Sequence, residues 1–393
     1  IYILEESLSI LRDVGDRQGE GDVLINLGST YSSLEQYEQA IELYEQSLAV
    51  WEEIGNRRGE AHVLSNLGEV YNNLGQREQA IEFYERSIVI AREIGDRQRE
   101  GIAHSNLGNA YKNLGQYGQA SNMLFTAIEI YESLRSEEIS DAQRISLFDA
   151  QGHAYFNLQR ALVAQNEIEQ ALEISERGRA RAFASSLAKR QNSETPSIQP
   201  PSISEIQYTA QKQNSILVQY SYLSATDDDY PQLYVWVIQP TGEITFRSVD
   251  LSGLDNDLFN IITSSRDAIG VRRRNNDATF EITLTPEALR RQTERQRQTL
   301  QELHTLLINP IADLLPTDPN APVIIIPHQE LFLVPFPALV DANGDYLIQK
   351  HTLLTAPSIQ VLQLLGEQQT TTATGDPLII GNPIMPSIWN PAT

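Results

Sequence analysis

Asn26, Asn66 and Asn106 stand forty residues apart, one in each of three near-copies of the same stretch of chain. A carboxamide carries both donors and an acceptor oxygen, so such a ladder can pair with the backbone of an extended peptide whatever its side chains. The plainer alternative is that the three side chains cap or solvate a helix surface. Residues able to break bonds are scarcer. The 393-residue chain has no cysteine, which excludes a thiolate nucleophile, a disulfide framework or a thiolate metal site within it. His328 follows a strand-like apolar run, a good place for a general base, but a base needs a nucleophile within hydrogen-bond reach. Ser358 and His351 are available in sequence, yet neither forms a serine-hydrolase motif and Gly-x-Ser-x-Gly is absent. His328 is therefore read as a loop or core histidine, and no catalytic residue is assigned. Asp227-Asp228-Asp229 lacks the alternating oxygen ligands and closing glutamate of a calcium loop. It is read as a solvated loop, and no metal or cofactor site is assigned.

Bulk composition narrows the partners. A formal charge of -23 opposes nonspecific attraction to DNA, RNA or anionic lipid. The compact basic strings are Glu176-Arg177-Gly178-Arg179-Ala180-Arg181, read as a solvated or interdomain face with local ion pairs, and Arg272-Arg273-Arg274, read as loop surface. No stretch approaches the roughly 20 apolar residues that cross a bilayer, and no basic-then-apolar leader is present. A cytoplasmic protein without membrane partners is expected. The chain opens at Ile1 inside a helical pattern, so a longer parent is expected, and the exposed first helix is a further candidate for self-association. Oligomeric state cannot be read from the sequence.

The elements that position the asparagines follow from the repeat. Copies at 15–54, 55–94 and 95–134 each read as two helices, at about 20–34 and 37–54 in the first copy. Gly15, Gly55 and Gly95 end the second helices, and Asp16, Asn56 and Asp96 are N-cap candidates for the next pair. Leu27, Gly28, Tyr31 and Leu34 form one stripe, repeated as Leu67, Gly68, Tyr71, Leu74 and as Leu107, Gly108, Tyr111, Leu114. A glycine repeated inside a helix costs roughly 1 kcal/mol against alanine each time, which points to close helix contact. Ala40, Ala80 and Ala120 offer the matching small surface. Residues 140–190 continue as a fading repeat that caps the stack.

These leucine-glycine, tyrosine and alanine positions resemble the tetratricopeptide repeat family in its forty-residue variant. The resemblance implies that the first helices line a concave peptide-binding face. The matching positions are Asp22, Asn26, Ser29, Ser32 and Ser33, then His62, Asn66, Glu69, Asn72 and Asn73, then Ile102, Asn106, Asn109, Lys112 and Asn113. The basic pairs some family members use to clamp a carboxylate terminus are absent, so such a ligand is not expected.

Residues 192–204, rich in Pro, Ser, Thr and Gln, break the helical pattern. Beyond them, 215–223, 233–238 and 244–249 read as strands, the last two joined as a hairpin through Pro240-Thr241-Gly242. Helices follow at 252–269 and 286–307, with short apolar strands at 323–326 and 378–380. The string Ile326-Pro327-His328-Gln329-Glu330-Leu331-Phe332-Leu333-Val334-Pro335-Phe336-Pro337-Ala338-Leu339, with Tyr346-Leu347-Ile348, Ala356-Pro357-Ser358 and Gly381-Asn382-Pro383, resembles the upstream half of a CHAT domain. That caspase-like, separase-related domain often stands behind such repeats in bacteria, especially cyanobacteria. The fold expected is thus multidomain: an all-α tetratricopeptide-like solenoid at 1–190, a linker at 191–207, and an incomplete α/β caspase-like domain at 208–393 with a β hairpin near its start. The family implies a cysteine peptidase, but it places its histidine-glycine motif and its cysteine downstream of the asparagine-proline strand end. The expected role of this chain is a peptide- or protein-binding sensor or scaffold arm without catalysis. The alternative is a cysteine endopeptidase whose dyad lies beyond residue 393 of the parent.

Overall fold

The computed structural model describes residues 1–134, 141–191, 200–225, 229–254, 257–268 and 286–368. The strand expected at 378–380, Gly381-Asn382-Pro383, Asp227, Asp228, Arg272-Arg273-Arg274 and residues 192–199 of the expected linker lie outside them. Two compact units divide the chain, Ile1–Ile174 and Ser175–Thr393.

The first unit is all-α. Helix α1 (Tyr2–Val14) precedes three pairs: α2 (Arg17–Ser33) with α3 (Tyr37–Ile54), α4 (Arg57–Asn73) with α5 (Arg77–Glu93), and α6 (Arg97–Asn113) with α7 (Tyr117–Leu134). Helices α8 (Asp141–Ala164) and α9 (Ile168–Gln191) follow. The expected caps are present: Asp16, Asn56 and Asp96 accept the backbone N–H of Gly19, Gly59 and Arg99. The turn inside each pair needs a left-handed residue, supplied by Gly75 (φ 75°) and Gly115 (φ 73°) but by Glu35 (φ 59°) in the first copy.

Within a pair, helices approach until one ring rests on a missing side chain. A Cβ on Gly28 would stand 2.6 Å from the Tyr44 ring, and one on Gly68 would stand 2.6 Å from that of Tyr84. A second layer repeats the rule with different residues. Trp51 lies over Gly21 and Tyr131 over Gly101, whereas the middle copy places Ala91 and Ala61 at the same two positions. A ring is accommodated only where its partner is glycine, as close packing demands. Polar pairing is periodic as well. The buried carboxylates of Glu20, Glu60 and Glu100 accept from Arg17, Arg57 and Arg97 one turn earlier, and Arg12 and Arg92 add to the outer two.

The second unit takes the later part of α9 and continues with α10 (Ile203–Gln213) and strands β1 (Ile216–Leu223), β2 (Gln232–Ile238) and β3 (Ile244–Asp250). Helices α11 (Leu258–Ala268) and α12 (Pro286–Leu307), strand β4 (Pro322–Ile326), the short helix α13 (Leu347–Lys350), strand β5 (Thr352–Thr355) and α14 (Ile359–Gln368) complete it. The strands form one sheet in the order β3-β2-β1-β4-β5, antiparallel across the first two pairs and parallel across β1–β4 and β4–β5. Ile216, Val218 and Tyr220 of β1 join Val235, Val323 and Ile325 in a core closed by Leu258 and Ile262 of α11 and Leu303 and Leu307 of α12. The intervening Leu217, Gln219 and Ser221 are equally buried, so β1 is covered on both faces, as a parallel strand in an α/β sheet requires.

Two features depart from expectation, one of them within the 191–207 stretch. Part of that stretch is helix α10, opened by a capping box between Ser202 and Glu205 that its Pro- and Ser-rich flank concealed. Strand β5 was not anticipated, because four largely exposed residues carry too little apolar signal.

The glycine-ring contact predicts opposite effects for two substitutions. Gly68→Ala gains about 1 kcal/mol of helix propensity but meets Tyr84, and overpacking costs about 1–3 kcal/mol. A net loss of up to about 2 kcal/mol in the solenoid's unfolding transition is expected by denaturant melts. Glu35→Gly relieves the left-handed turn and raises the same transition by about 0.5–1 kcal/mol.

Candidate functional site

Helices α2, α4 and α6 lie side by side, so their recurrent polar positions form one face. Asp22, Asn26 and Ser29 on α2 are exposed, and Ser29 Oγ shares a 3.0 Å hydrogen bond with Tyr44 Oη. On α4, His62 and Asn66 are half-buried while Glu69 and Asn73 reach solvent. On α6, Asn106, Asn109 and Asn113 are half-buried. Lys112 is buried, and its Nζ donates to Asn157 Oδ1 of α8 at 3.4 Å. Helix α8 packs on α6 and α7, so exposure along the face decreases from the first copy to the third.

Limited hydration sets the electrostatics of this face. Burial raises the pKa of Asp22, with Asp16 adding to it, and burial alone raises that of Glu69 although part of its side chain meets water. Burial pushes His62 down to about 4, helped by the Arg99 guanidinium, so the imidazole is neutral at pH 7. Arg99 is a member of this neighbourhood that the repeat pattern did not single out. It stands where the earlier copies have Gly19 and Gly59, and a Cβ at Gly59 would collide with Trp51. Ala91 replaces that tryptophan one copy later, which leaves room for an arginine. The break in the repeat was the available signal. In sum the face offers neutral carboxamides and two incompletely hydrated carboxylates, a surface suited to donors and cationic groups.

The carboxyl ends of the parallel strands form a second polar region, within the second unit. His328 Nδ1 accepts the backbone N–H of Tyr222 at 3.1 Å, which makes Nε2 the protonated nitrogen. Burial, and then the Arg179 guanidinium, hold its pKa near 3. Ser358 is buried and accepts the Val361 N–H at the start of α14, and no hydrogen bond joins it to His351 among the described residues.

Within the string 176–181, Glu176 and Arg179 form a local ion pair that is interior rather than solvated. Glu176 is fully buried and bonded to the Ile359 and Gln360 amides, and Arg179 reaches the carbonyls of Tyr220, Ile326 and Pro327. Charge in the sequence suggested solvent, whereas unpaired backbone groups at strand and helix ends supplied partners that no local pattern reveals. Among the described residues no cluster of three or more His, Cys, Asp or Glu could hold a metal ion, and no helix is long and apolar enough to cross a membrane.

Residues 1–53 and 59–133 match the tetratricopeptide repeat model, and residues 297–390 match that of the CHAT domain. The architecture is accordingly an all-α tetratricopeptide-like solenoid followed by a mixed α/β region that has a β hairpin near its start and matches the CHAT domain in its later part. Tetratricopeptide repeat protein 28 of Homo sapiens is 26% identical over 69% of this chain, and its Mus musculus counterpart is 25% identical over the same share. The chain spans 15% of the length of each. Among solved structures, BtubC (BKLC) of P. vanneervenii is 19% identical, with 47% of this chain and 70% of that one covered at a TM-score of 0.37. The putative kinesin light chain repeats of Podosopora anserina are 21% identical, covering 49% and 87% at a TM-score of 0.36.

A buried neutral histidine makes stability fall on the acid side. The unfolded chain takes up a proton near pH 6.5 that folded His328 refuses until about pH 3, so its contribution is complete above 6.5 and is lost progressively below it. The slope approaches about 1.4 kcal/mol per pH unit in that window. His328→Asn, which keeps an acceptor for Tyr222 N–H and does not titrate, should flatten the slope in melts of the second unit. Ring-proton NMR should place His62 near 4 and show it rising in Arg99→Gly.

Proposed function

We propose that this chain is the peptide- or protein-binding sensor or scaffold arm of a CHAT protease-like protein and catalyses no reaction itself. The observation that carries this reading is the ladder of Asn26, Asn66 and Asn106 on the adjacent helices α2, α4 and α6. A peptide laid across them exchanges its water-bonded amides for carboxamide partners, and Asp22, Ser29, Glu69, Asn73, Asn109 and Asn113 border the same path. Asp22 and Glu69 favour a segment bearing lysine or arginine, since partial desolvation strengthens their attraction for a cation. Lys112, turned to Asn157, forms the closed end of that path.

Absence of cysteine supports the non-catalytic part for this chain. A second reading, favoured by the CHAT match at 297–390, is a cysteine endopeptidase whose histidine and cysteine lie beyond residue 393 of a longer parent. A cytoplasmic location and a cyanobacterial-type parent go with either reading and rest on the resemblance of the architecture. Hydrolysis of peptides by the purified chain, above a size-matched control, would overturn the non-catalytic reading.

A random peptide library displayed against the full chain should yield extended, Lys- or Arg-containing binders. The triple variant Asn26→Ala, Asn66→Ala, Asn106→Ala should weaken them at least about tenfold by fluorescence polarisation, given about 0.5–1.5 kcal/mol per hydrogen bond. Selected peptides that bind the triple variant as tightly as the wild type would place the interaction elsewhere.

A further inference from the structure

Glu176 and Arg179 occupy one turn of α9, inside the second unit. Glu176 Oε2 accepts the backbone N–H of Ile359 at 2.9 Å and of Gln360 at 3.4 Å, two amides that have no acceptor within their own helix. Arg179 donates to the carbonyls of Tyr220 and Pro327, and to that of Ile326 at 3.5 Å. Gln219 of β1 adds a 3.0 Å bond to Ser175, the preceding residue on α9. One helical turn therefore holds the carboxyl ends of β1 and β4 and the start of the helix that follows β5. These are the three parallel strands, and in open α/β sheets ligands and reacting groups gather outside their carboxyl ends.

The same helix begins in the solenoid. Its first turns bury Ala171, Leu172 and Ile174 within the first unit, and Ser175 opens the second without a break in the helix. Glu176 Oε1 and Arg179 Nε lie 3.8 Å apart as an ion pair within one turn of that helix. Removal of one buried charge alone strands the other, so the two side chains are coupled.

We propose that the Glu176–Arg179 turn is a latch through which the last solenoid helix sets the loops at the carboxyl edge of the parallel strands. The proposal rests on the solenoid being a sensor arm, and it names the element that passes the signal on.

Hydrogen exchange of the full chain tests it without any ligand, so the outcome is independent of whether the asparagine face binds peptides. Leu172→Ala, a solenoid substitution, should speed exchange at the Ile359 and Gln360 amides by about tenfold or more through local opening of the latch. Ile174→Val is the milder version should the first variant unfold. In a Glu176→Leu/Arg179→Met background, which removes the acceptor as well as both charges, those amides exchange fast already, and Leu172→Ala should add nothing. Faster exchange confined to α8 and α9, with Ile359 and Gln360 unchanged, would overturn the latch. So would an equal increment from Leu172→Ala in both backgrounds, because additivity means no coupling. As a second readout, Arg179→Met should raise the His328 pKa seen by NMR, since the guanidinium helps hold it down.

Discussion

Unpaired backbone groups at the ends of secondary structure must find partners, and in the second unit two side chains of one helical turn supply them. Arg179 meets three strand-end carbonyls and Glu176 meets two helix-start amides. A planar guanidinium suits the first task because its donors diverge in a fixed fork. A carboxylate suits the second because helix N-termini carry partial positive charge. Burial opposes both charged forms, raising the pKa of Glu176 and lowering that of Arg179, so each ion depends on its neighbours to remain where it is. The Arg179 guanidinium also shapes the environment of His328, helping to keep its imidazole neutral.

In the solenoid the governing constraint is volume. Helices pair at a separation set by rings on glycine, Tyr44 on Gly28 and Tyr84 on Gly68, and the second layer trades Trp51 with Gly21 for Ala91 with Ala61. The same periodicity that stacks these contacts aligns Asn26, Asn66 and Asn106 on the opposite side of the first helices. Packing and recognition are thus two readings of one repeat. The trade at Ala91 also admits Arg99, which alters the charge around His62.

Much of this was legible in the sequence. Leu-Gly and Tyr at a fixed spacing announced helix pairs, and Asp16, Asn56 and Asp96 announced their starts, because helical periodicity and capping are local properties. The β-rich composition of 215–223 and 233–238 announced strands for a similarly local reason. Strand β5 and helix α10 escaped notice, one being stabilised by its neighbour rather than by its own four residues, the other hidden beside a proline-rich flank. Exposure of the polar face was legible only in part: the family resemblance placed Lys112 on it, and the packing of α8 against α6 buried it.

What the sequence determined by itself was the repeat, its caps, the change to an α/β half and the lack of a cysteine nucleophile. Each of these depends on residues within a few turns or on composition alone. Only the tertiary structure decided that Glu176 and Arg179 are interior, that His328 accepts from Tyr222, and that the two units part within a continuous helix. The reason is physical: these residues are held by backbone groups from 41 to 184 positions away in the chain, brought together only when the sheet forms.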